Sequence, residues 1–105
     1  MMVRRQAFDQ VGGFDEHFWM YWEDADLCRR LRSAGWGAWF CADARAYHYT
    51  GSSGQSETTI RAFHTSAARY YARHIAHSSF TATLAQLVLR ARMRLMLQLH
   101  GRRLT

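Results

Sequence analysis

The chain has 105 residues, 49% of them hydrophobic, and a formal net charge of +6 at pH 7, which indicates one small folded domain and excludes a disordered segment. Its two cysteines form no CxxC pair, so a disulfide framework and a zinc site are not expected and a reducing cytoplasm is favoured. The sequence shows no apolar leader and no run of transmembrane length, and a cytoplasmic location is therefore expected.

The charge is unevenly distributed along the chain. All eight acidic residues lie between Asp9 and Glu57, whereas the residues from Thr58 onward include eight arginines and no acid. The net positive charge therefore belongs to the second part of the chain. A basic surface of this kind suits a partner that carries phosphates, either an anionic membrane or a nucleic acid.

The first part of the chain predicts two helices and three short strands. One helix is predicted from residue 5 to residue 11, where a glycine pair stops it. Another begins at Glu23 or Asp24, where acids suit the helix dipole, and ends before Gly35. Strands are predicted at 1–5, 36–41 and 44–49.

The second part predicts two helices after a Gly/Ser-rich link at 50–56. They are expected at 58–77 and 80–99. The later helix carries an apolar stripe with a helical period: Phe80, Leu84, Leu87, Val88, Ala91, Leu95 and Leu99. Such a stripe fits a helix docked on its own domain, or one in which residues 80–103 lie on an anionic membrane.

The most informative stretch joins a glycine turn, a run of aromatics and a group of acids. Residues 12–16 read Gly-Gly-Phe-Asp-Glu, residues 18–22 are mostly aromatic, and residues 23–28 read Glu-Asp-Ala-Asp-Leu-Cys. Carboxylates beside large apolar rings are costly to keep charged, and such surroundings raise a pKa and create a general base. The stretch therefore predicts a catalytic site.

Together these motifs resemble the C-terminal part of the catalytic domain of family 2 glycosyltransferases, of the bacterial rhamnosyltransferase-like branch in particular. The elements that carry the resemblance are Arg4-Arg5, Gly12 to Glu16, Phe18 to Trp22, Glu23 to Cys28, Arg30, Gly35-Trp36 and His48. It implies an α/β fold, namely part of a GT-A (Rossmann-like) domain followed by two C-terminal helices. Residues 1–57 would be the acceptor-side part of that domain, and residues 58–105 a basic, amphipathic helical extension.

The resemblance also implies a reaction. A sugar such as a hexose or rhamnose would pass, with inversion, from a nucleotide-sugar donor to a hydroxyl of a glycan or a lipid-linked saccharide. Asp24 matches the general base that takes the proton of that hydroxyl. Gly13, Trp22 and Glu23 would shape the acceptor pocket, and His48 matches a position that supplies a ligand to a divalent metal, Mn²⁺ or Mg²⁺.

The nucleotide-binding half of that family, with its metal-binding Asp-x-Asp, has no counterpart in these residues. Asp24-Ala25-Asp26 spells Asp-x-Asp, but it opens a helix after aromatics instead of ending an apolar strand. The sequence is therefore expected to be a C-terminal fragment that shares its metal with the missing half and is inactive alone. Nucleic acid is not expected as a partner.

Plainer interpretations remain beside these expectations. Asp24 could simply cap a helix, and His48 could be a packing histidine. The chain could be a non-enzymatic basic module that binds an anionic membrane or nucleic acid, or a remnant without function that folds poorly. Under the enzymatic interpretation the protein is cytoplasmic or peripheral on the cytoplasmic face of the membrane, because family acceptors are often lipid-linked.

Overall fold

The computed structural model describes residues 1–47 and 56–103, and all the regular structure in those ranges is α-helical. The helices are α1 (Arg5–Gln10), α2 (Glu23–Ser33), α3 (Glu57–His74) and α4 (Ser79–Arg103). A connection of only four residues joins α3 to α4, so the two long helices form an antiparallel hairpin. The helix α2, and the loop of residues 11–22 that precedes it, contact α3 through side chains described below.

The α/β fold expected from the sequence is wrong, because the described residues form helices without any strand or sheet. Of the three predicted strands, residues 1–4 and 36–47 are irregular, residue 5 begins α1, and residues 48–49 lie outside the described ranges. The segments 1–3 and 36–39 line one open groove of about 1370 Å³ beside α2 without pairing. The backbone N–H and C=O groups of a strand form hydrogen bonds with a neighbouring strand, and the described residues contain no such neighbour.

The four predicted helices are confirmed, with ends shifted by a few residues. Gly35 has a φ of +88°, the left-handed conformation predicted for the residue that follows α2. Ser56 is the N-cap residue of α3, where its Oγ accepts from the Thr59 amide at 3.2 Å and its own amide donates to Thr59 Oγ1 at 2.9 Å. This reciprocal cap fixes the start of α3 within one turn.

The stripe predicted on α4 is exposed instead of packed on the domain. Phe80 is 74% exposed, and Leu87 and Val88, two turns later, are 56% and 58% exposed. The opposite side of α4 contacts α3 through residues such as Leu89 and Met93. Apolar residues therefore lie on both sides of α4, with arginines between them, which is a different arrangement from one apolar and one polar face.

A buried carboxylate joins α2 to the end of α3. Asp26 is 0% exposed, and its oxygens accept hydrogen bonds from Arg30 Nε at 2.7 Å and from His74 Nε2 at 2.6 Å. Burial raises the pKa of Asp26, but the bonds from His74 and Arg30 outweigh it and hold the pKa below its usual value. Arg29 donates to the His74 carbonyl at 2.9 Å, so neighbouring residues of α2 bind the same helix end.

The substitution Asp26→Asn tests this connection. We expect it to lower the free energy of unfolding by about 3 kcal/mol, because a buried ion pair that loses one partner leaves the other charge uncompensated. Chemical denaturation followed by circular dichroism measures the loss. Asp24 lies on the same helical turn and is exposed, so Asp24→Asn should change the free energy of unfolding by less than about 0.5 kcal/mol. Equal effects of the two variants would contradict the role of Asp26.

The pH dependence of stability follows from the sign of the same shift. A carboxylate whose pKa is lower in the folded state adds stability above its unfolded pKa of about 3.9, and that stability is lost as the pH falls through the folded pKa. The wild-type free energy of unfolding should therefore decrease below about pH 4. In Asp26→Asn the free energy of unfolding should decrease less steeply over the same pH range. The same slope as in the wild type would contradict the contribution of Asp26 to this pH dependence.

Candidate functional site

The acids at the start of α2 follow a turn with unusual backbone geometry. Tyr21 and Trp22 have φ values of 64° and 69°, in the left-handed region that bulky residues rarely occupy. Trp22 is the N-cap residue of α2 and makes no side-chain cap. Each such residue costs on the order of 1–3 kcal/mol and persists only where the surroundings hold it. We call residues 21–24 the acidic turn.

Aromatic rings of α3 hold the acidic turn in place. The Trp22 ring lies 5.1 Å from Tyr70 and 5.9 Å from Phe63, measured between centroids. Phe63 also meets Tyr21 edge-on at 5.7 Å. Aromatic pairs at these distances contribute roughly 0.5–1.5 kcal/mol each beyond the area they bury. Their sum is of the size needed to offset the strain of the turn.

Two polar atoms of the acidic turn are buried without a hydrogen-bond partner. They are Nε1 of Trp22 and Oε2 of Glu23, which lie on consecutive residues. Leaving a buried donor or acceptor unpaired costs about 1–3 kcal/mol, so each of these atoms calls for an explanation. One atom donates and the other accepts, and a hydroxyl group does both. A hydroxyl group is therefore the kind of partner that either atom lacks.

Asp24 lies at the rim of the same turn with its carboxylate exposed. Its Oδ1 accepts from the Ala25 amide at 2.7 Å, and its other oxygen has no hydrogen bond among the described residues. It is the second residue of α2 and does not occupy the N-cap position, although it binds an amide of the first turn. The arrangement leaves one carboxylate oxygen open to a proton from a ligand.

Asp26 does not follow the sequence expectation for acids beside aromatics. Its pKa is lowered instead of raised, because His74 lies against it in the fold. That contact joins residues 48 positions apart, and nothing in the local sequence indicates it. Asp26 is a structural carboxylate, and of the three acids at the start of α2 only Asp24 is exposed.

Three polar residues on one side of α3 bind the loop that leads into the acidic turn. Ser66 Oγ donates to the Met20 carbonyl at 2.9 Å, Arg69 donates to the His17 carbonyl, and Arg73 pairs with Asp15. None of the three was predicted from the sequence to hold this loop. Their spacing of three and four residues places them on one helical face, which is the signal that could have found them.

Asp15 is the acid of this loop that the helix holds. Its Oδ1 accepts from the His17 amide at 2.9 Å and from His17 Nδ1 at 2.7 Å. The backbone bond from His17 is the main reason that the pKa of Asp15 lies far below its usual value, and the side chains of His17 and Arg73 lower it further. Asp15 is therefore a fixed anion that anchors the loop and is no candidate for a base.

Of the two remaining predicted site residues, the structure describes Gly13. Gly13 has a φ of +71°, and a Cβ there would lie 3.0 Å from the Phe8 ring, so this glycine is required by a close turn at the end of α1. No hydrogen bond or ring contact of the described residues links it to Trp22. His48, the predicted metal ligand, lies outside the described residues.

A divalent metal has no ligand set in the part of the chain that the structure describes. No group of three or more His, Cys, Asp or Glu side chains there is placed to hold a metal ion. The described residues therefore do not form a site for the expected Mn²⁺ or Mg²⁺ by themselves. None of the helices in the described ranges has an apolar stretch long enough to span a bilayer.

Comparison with known proteins identifies the class to which this arrangement belongs. Residues 1–63 match the family model described as glycosyltransferase like family 2. This match covers more than half of the chain, including α1, the acidic turn and α2. The chain belongs to the family 2 glycosyltransferase-like proteins, and the family predicted from the sequence is confirmed.

The curated relatives of this chain include proteins named as rhamnosyltransferases. The chain is 49% identical over 53 residues to N-acetylglucosaminyl-diphospho-decaprenol L-rhamnosyltransferase of Mycobacterium tuberculosis, which covers 50% of this chain and 17% of that protein. It is 45% identical over 49 residues to rhamnosyltransferase WbbL of Escherichia coli K12, and this match covers 47% of this chain and 19% of that protein. The aligned stretch thus spans less than a fifth of either relative. No solved structure matches.

Replacing Trp22 separates packing from hydrogen bonding at the acidic turn. Trp22→Phe keeps a ring against Tyr70 and removes the unpaired N–H, so the free energy of unfolding should stay within about 1 kcal/mol of wild type. Trp22→Ala removes the ring and should cost about 3 kcal/mol. Urea denaturation compares the two, and a loss as large in Trp22→Phe as in Trp22→Ala would show that the N–H is not an orphan.

Proposed function

We propose that this chain forms the acceptor side of a glycosyltransferase, which transfers a sugar from a nucleotide-sugar donor to a hydroxyl of a glycan or lipid-linked saccharide. The observation that carries the proposal is the acidic turn, where two unpaired buried polar atoms lie beside an exposed carboxylate. Family membership and the printed names of the rhamnosyltransferase relatives support the reaction class. Residues 1–57 act on the acceptor, and residues 58–105 support them.

Asp24 acts as the general base in this proposal. Its open oxygen takes the proton of the acceptor hydroxyl while the hydroxyl oxygen attacks the anomeric carbon of the donor sugar. The bond from that carbon to the nucleotide diphosphate breaks, the diphosphate leaves with the electron pair, and the configuration inverts. Because Asp24 is exposed, the proton then passes to solvent and the carboxylate is restored.

Trp22 and Glu23 position the acceptor. The Trp22 N–H donates to the hydroxyl oxygen of a sugar ring, and the free Glu23 oxygen accepts from a hydroxyl of the same ring. Two such bonds fix the orientation of the nucleophile, and orientation supplies a large part of the rate in reactions of this kind. The aromatic partners on α3 keep the Trp22 ring in place before the acceptor arrives.

The donor and any metal bind through other residues. The described residues hold no metal-ligand group, and His48, proposed as a ligand to Mn²⁺ or Mg²⁺, lies outside them. The reaction also needs groups that hold the leaving diphosphate, because charge stabilisation at that site is a major contribution to the rate. We therefore propose that these 105 residues alone release no nucleotide.

The exposed stripe of α4 is proposed to contact a membrane surface. Its leucines, valine and phenylalanine are between 45% and 74% exposed, and Arg90 and Arg94 flank them. An apolar strip bordered by arginines suits the boundary between acyl chains and anionic headgroups. A lipid-linked acceptor would be found there, at the cytoplasmic face. A basic nucleic-acid module explains the arginines equally well but leaves the strained acidic turn without a purpose.

Asp24→Asn in the protein expressed from the complete open reading frame tests the function. Nucleotide release from UDP-, GDP- and dTDP-sugars with Mn²⁺ or Mg²⁺ should fall at least about 100-fold when the base is removed. Asp9→Asn is the matched control, because Asp9 is an exposed acid whose side chain bonds only to Arg5. Equal turnover in the two variants would show that Asp24 is not the general base and only interacts favourably with the dipole of α2.

A further inference from the structure

A groove of about 520 Å³ runs between α3 and α4, away from the acidic turn. We propose that it binds a phosphate or diphosphate group, and, granted the proposed function, that this group belongs to a lipid-linked acceptor. Three arginines line it, Arg69 and Arg73 from α3 and Arg90 from α4. No acidic residue lines the groove.

The charge of these arginines is only partly compensated. Arg73 pairs with Asp15, but Arg69 donates to a neutral carbonyl, that of His17. Arg90 makes no hydrogen bond or ion pair with the described residues. Guanidinium groups present planar pairs of donors that match phosphate oxygens, so two uncompensated arginines across one groove favour an anion of this shape.

His64 supplies an independent sign of a missing ligand. The residue is 5% exposed and lines the groove, and its Nδ1 donates to the Ile60 carbonyl at 2.8 Å. Its Nε2 is buried without a partner. With Nδ1 donating, Nε2 of the neutral ring is an acceptor, and a protonated oxygen of a phosphate or diphosphate group would donate to it. The unpaired nitrogen and the uncompensated arginines thus call for the same kind of ligand.

The composition of the groove argues against nucleic acid as the source of the phosphate. Single-stranded nucleic acids are held by aromatic side chains on which the bases stack. No Phe, Tyr or Trp lines this groove, whose apolar lining consists of alanines, Leu89 and Met93. It offers contacts for phosphate and for aliphatic groups, and none for a base.

The position of Arg90 connects the groove to the exposed stripe of α4. At about 3.6 residues per turn, Arg90 and Arg94 lie between the side that faces α3 and the side that carries Leu87 and Leu95. An α4 helix lying on a bilayer would hold these arginines at headgroup depth. A diphosphate whose lipid tail stays in the bilayer reaches the groove there, and the printed name of the mycobacterial relative contains such a group, diphospho-decaprenol.

The first experiment titrates inorganic pyrophosphate into the 105-residue chain at low ionic strength by isothermal calorimetry. Arg90→Gln should weaken binding at least about fivefold, because it removes one charge-assisted contact. Arg92→Gln removes the same charge from the same helix but does not line the groove, and it should change the affinity less than about twofold. Absence of saturable binding, or equal losses in the two variants, would overturn the proposal.

Both substitutions are at exposed positions, and the fold should tolerate them. The ¹⁵N resonance of His64 Nε2 provides a second readout, and at the same sub-saturating pyrophosphate concentration it should shift less in Arg90→Gln than in Arg92→Gln. A His64 signal unaffected by saturating pyrophosphate in the wild type would contradict the proposed position of the anion.

Vesicles distinguish the two sources of the phosphate. Co-sedimentation compares phosphatidylcholine vesicles with vesicles that also contain undecaprenyl diphosphate or phosphatidic acid. If the source is lipid-borne, undecaprenyl diphosphate should retain the protein, Arg90→Gln should weaken retention, and free pyrophosphate should compete. Retention by phosphatidic acid that pyrophosphate does not reduce would assign the contact to the α4 surface and count against the groove as a lipid-phosphate site.

The groove and the catalytic proposal can fail separately. Asp24-dependent sugar transfer without pyrophosphate binding would reject the groove and leave the transferase. Pyrophosphate binding that depends on Arg90, together with no sugar transfer by the complete protein, would reject the transferase and leave an anion-binding helical hairpin.

Discussion

The buried carboxylate of Asp26 is the interaction on which the rest of the arrangement depends. It is fully removed from solvent and is compensated by Arg30 from its own helix and His74 from α3. Arg30 also donates to the Val11 carbonyl at 2.7 Å, so one network links α1, α2 and the end of α3. Because such a charge is tolerated only with all its partners present, the relative position of α2 and α3 is closely fixed.

The chemistry of the acidic turn and its support come from different parts of the chain. The family match ends at residue 63, yet Tyr70 stacks on Trp22 and Arg69 and Arg73 hold the preceding loop. The strained backbone of the turn persists because these later residues surround it. The α3 helix therefore packs against the acidic turn on one side and lines the arginine-containing groove on another side.

Structural features that depend on nearby residues could be predicted from the sequence, whereas features that depend on residues distant in the sequence could not. A helix forms its backbone hydrogen bonds within itself, and the hydrophobic periodicity together with glycine stops predicted all four helices. The segment 36–41 has the composition of a strand, but a strand needs a neighbour, and none exists among the described residues. The motif singled out Trp22, Glu23 and Asp24 as candidates, whereas the packing of Trp22 and the lowered pKa of Asp26 depend on contacts from α3.

The contact between Asp26 and His74 also sets an order of folding. The α3–α4 hairpin is held by neighbours close in sequence, and such contacts form quickly. The bonds that organise the acidic turn close loops of 46 to 58 residues, whose entropy must be overcome first. During synthesis the motif emerges before residues 63–74, which supply its contacts on α3. The acidic turn is therefore synthesised before the partners that give it its shape.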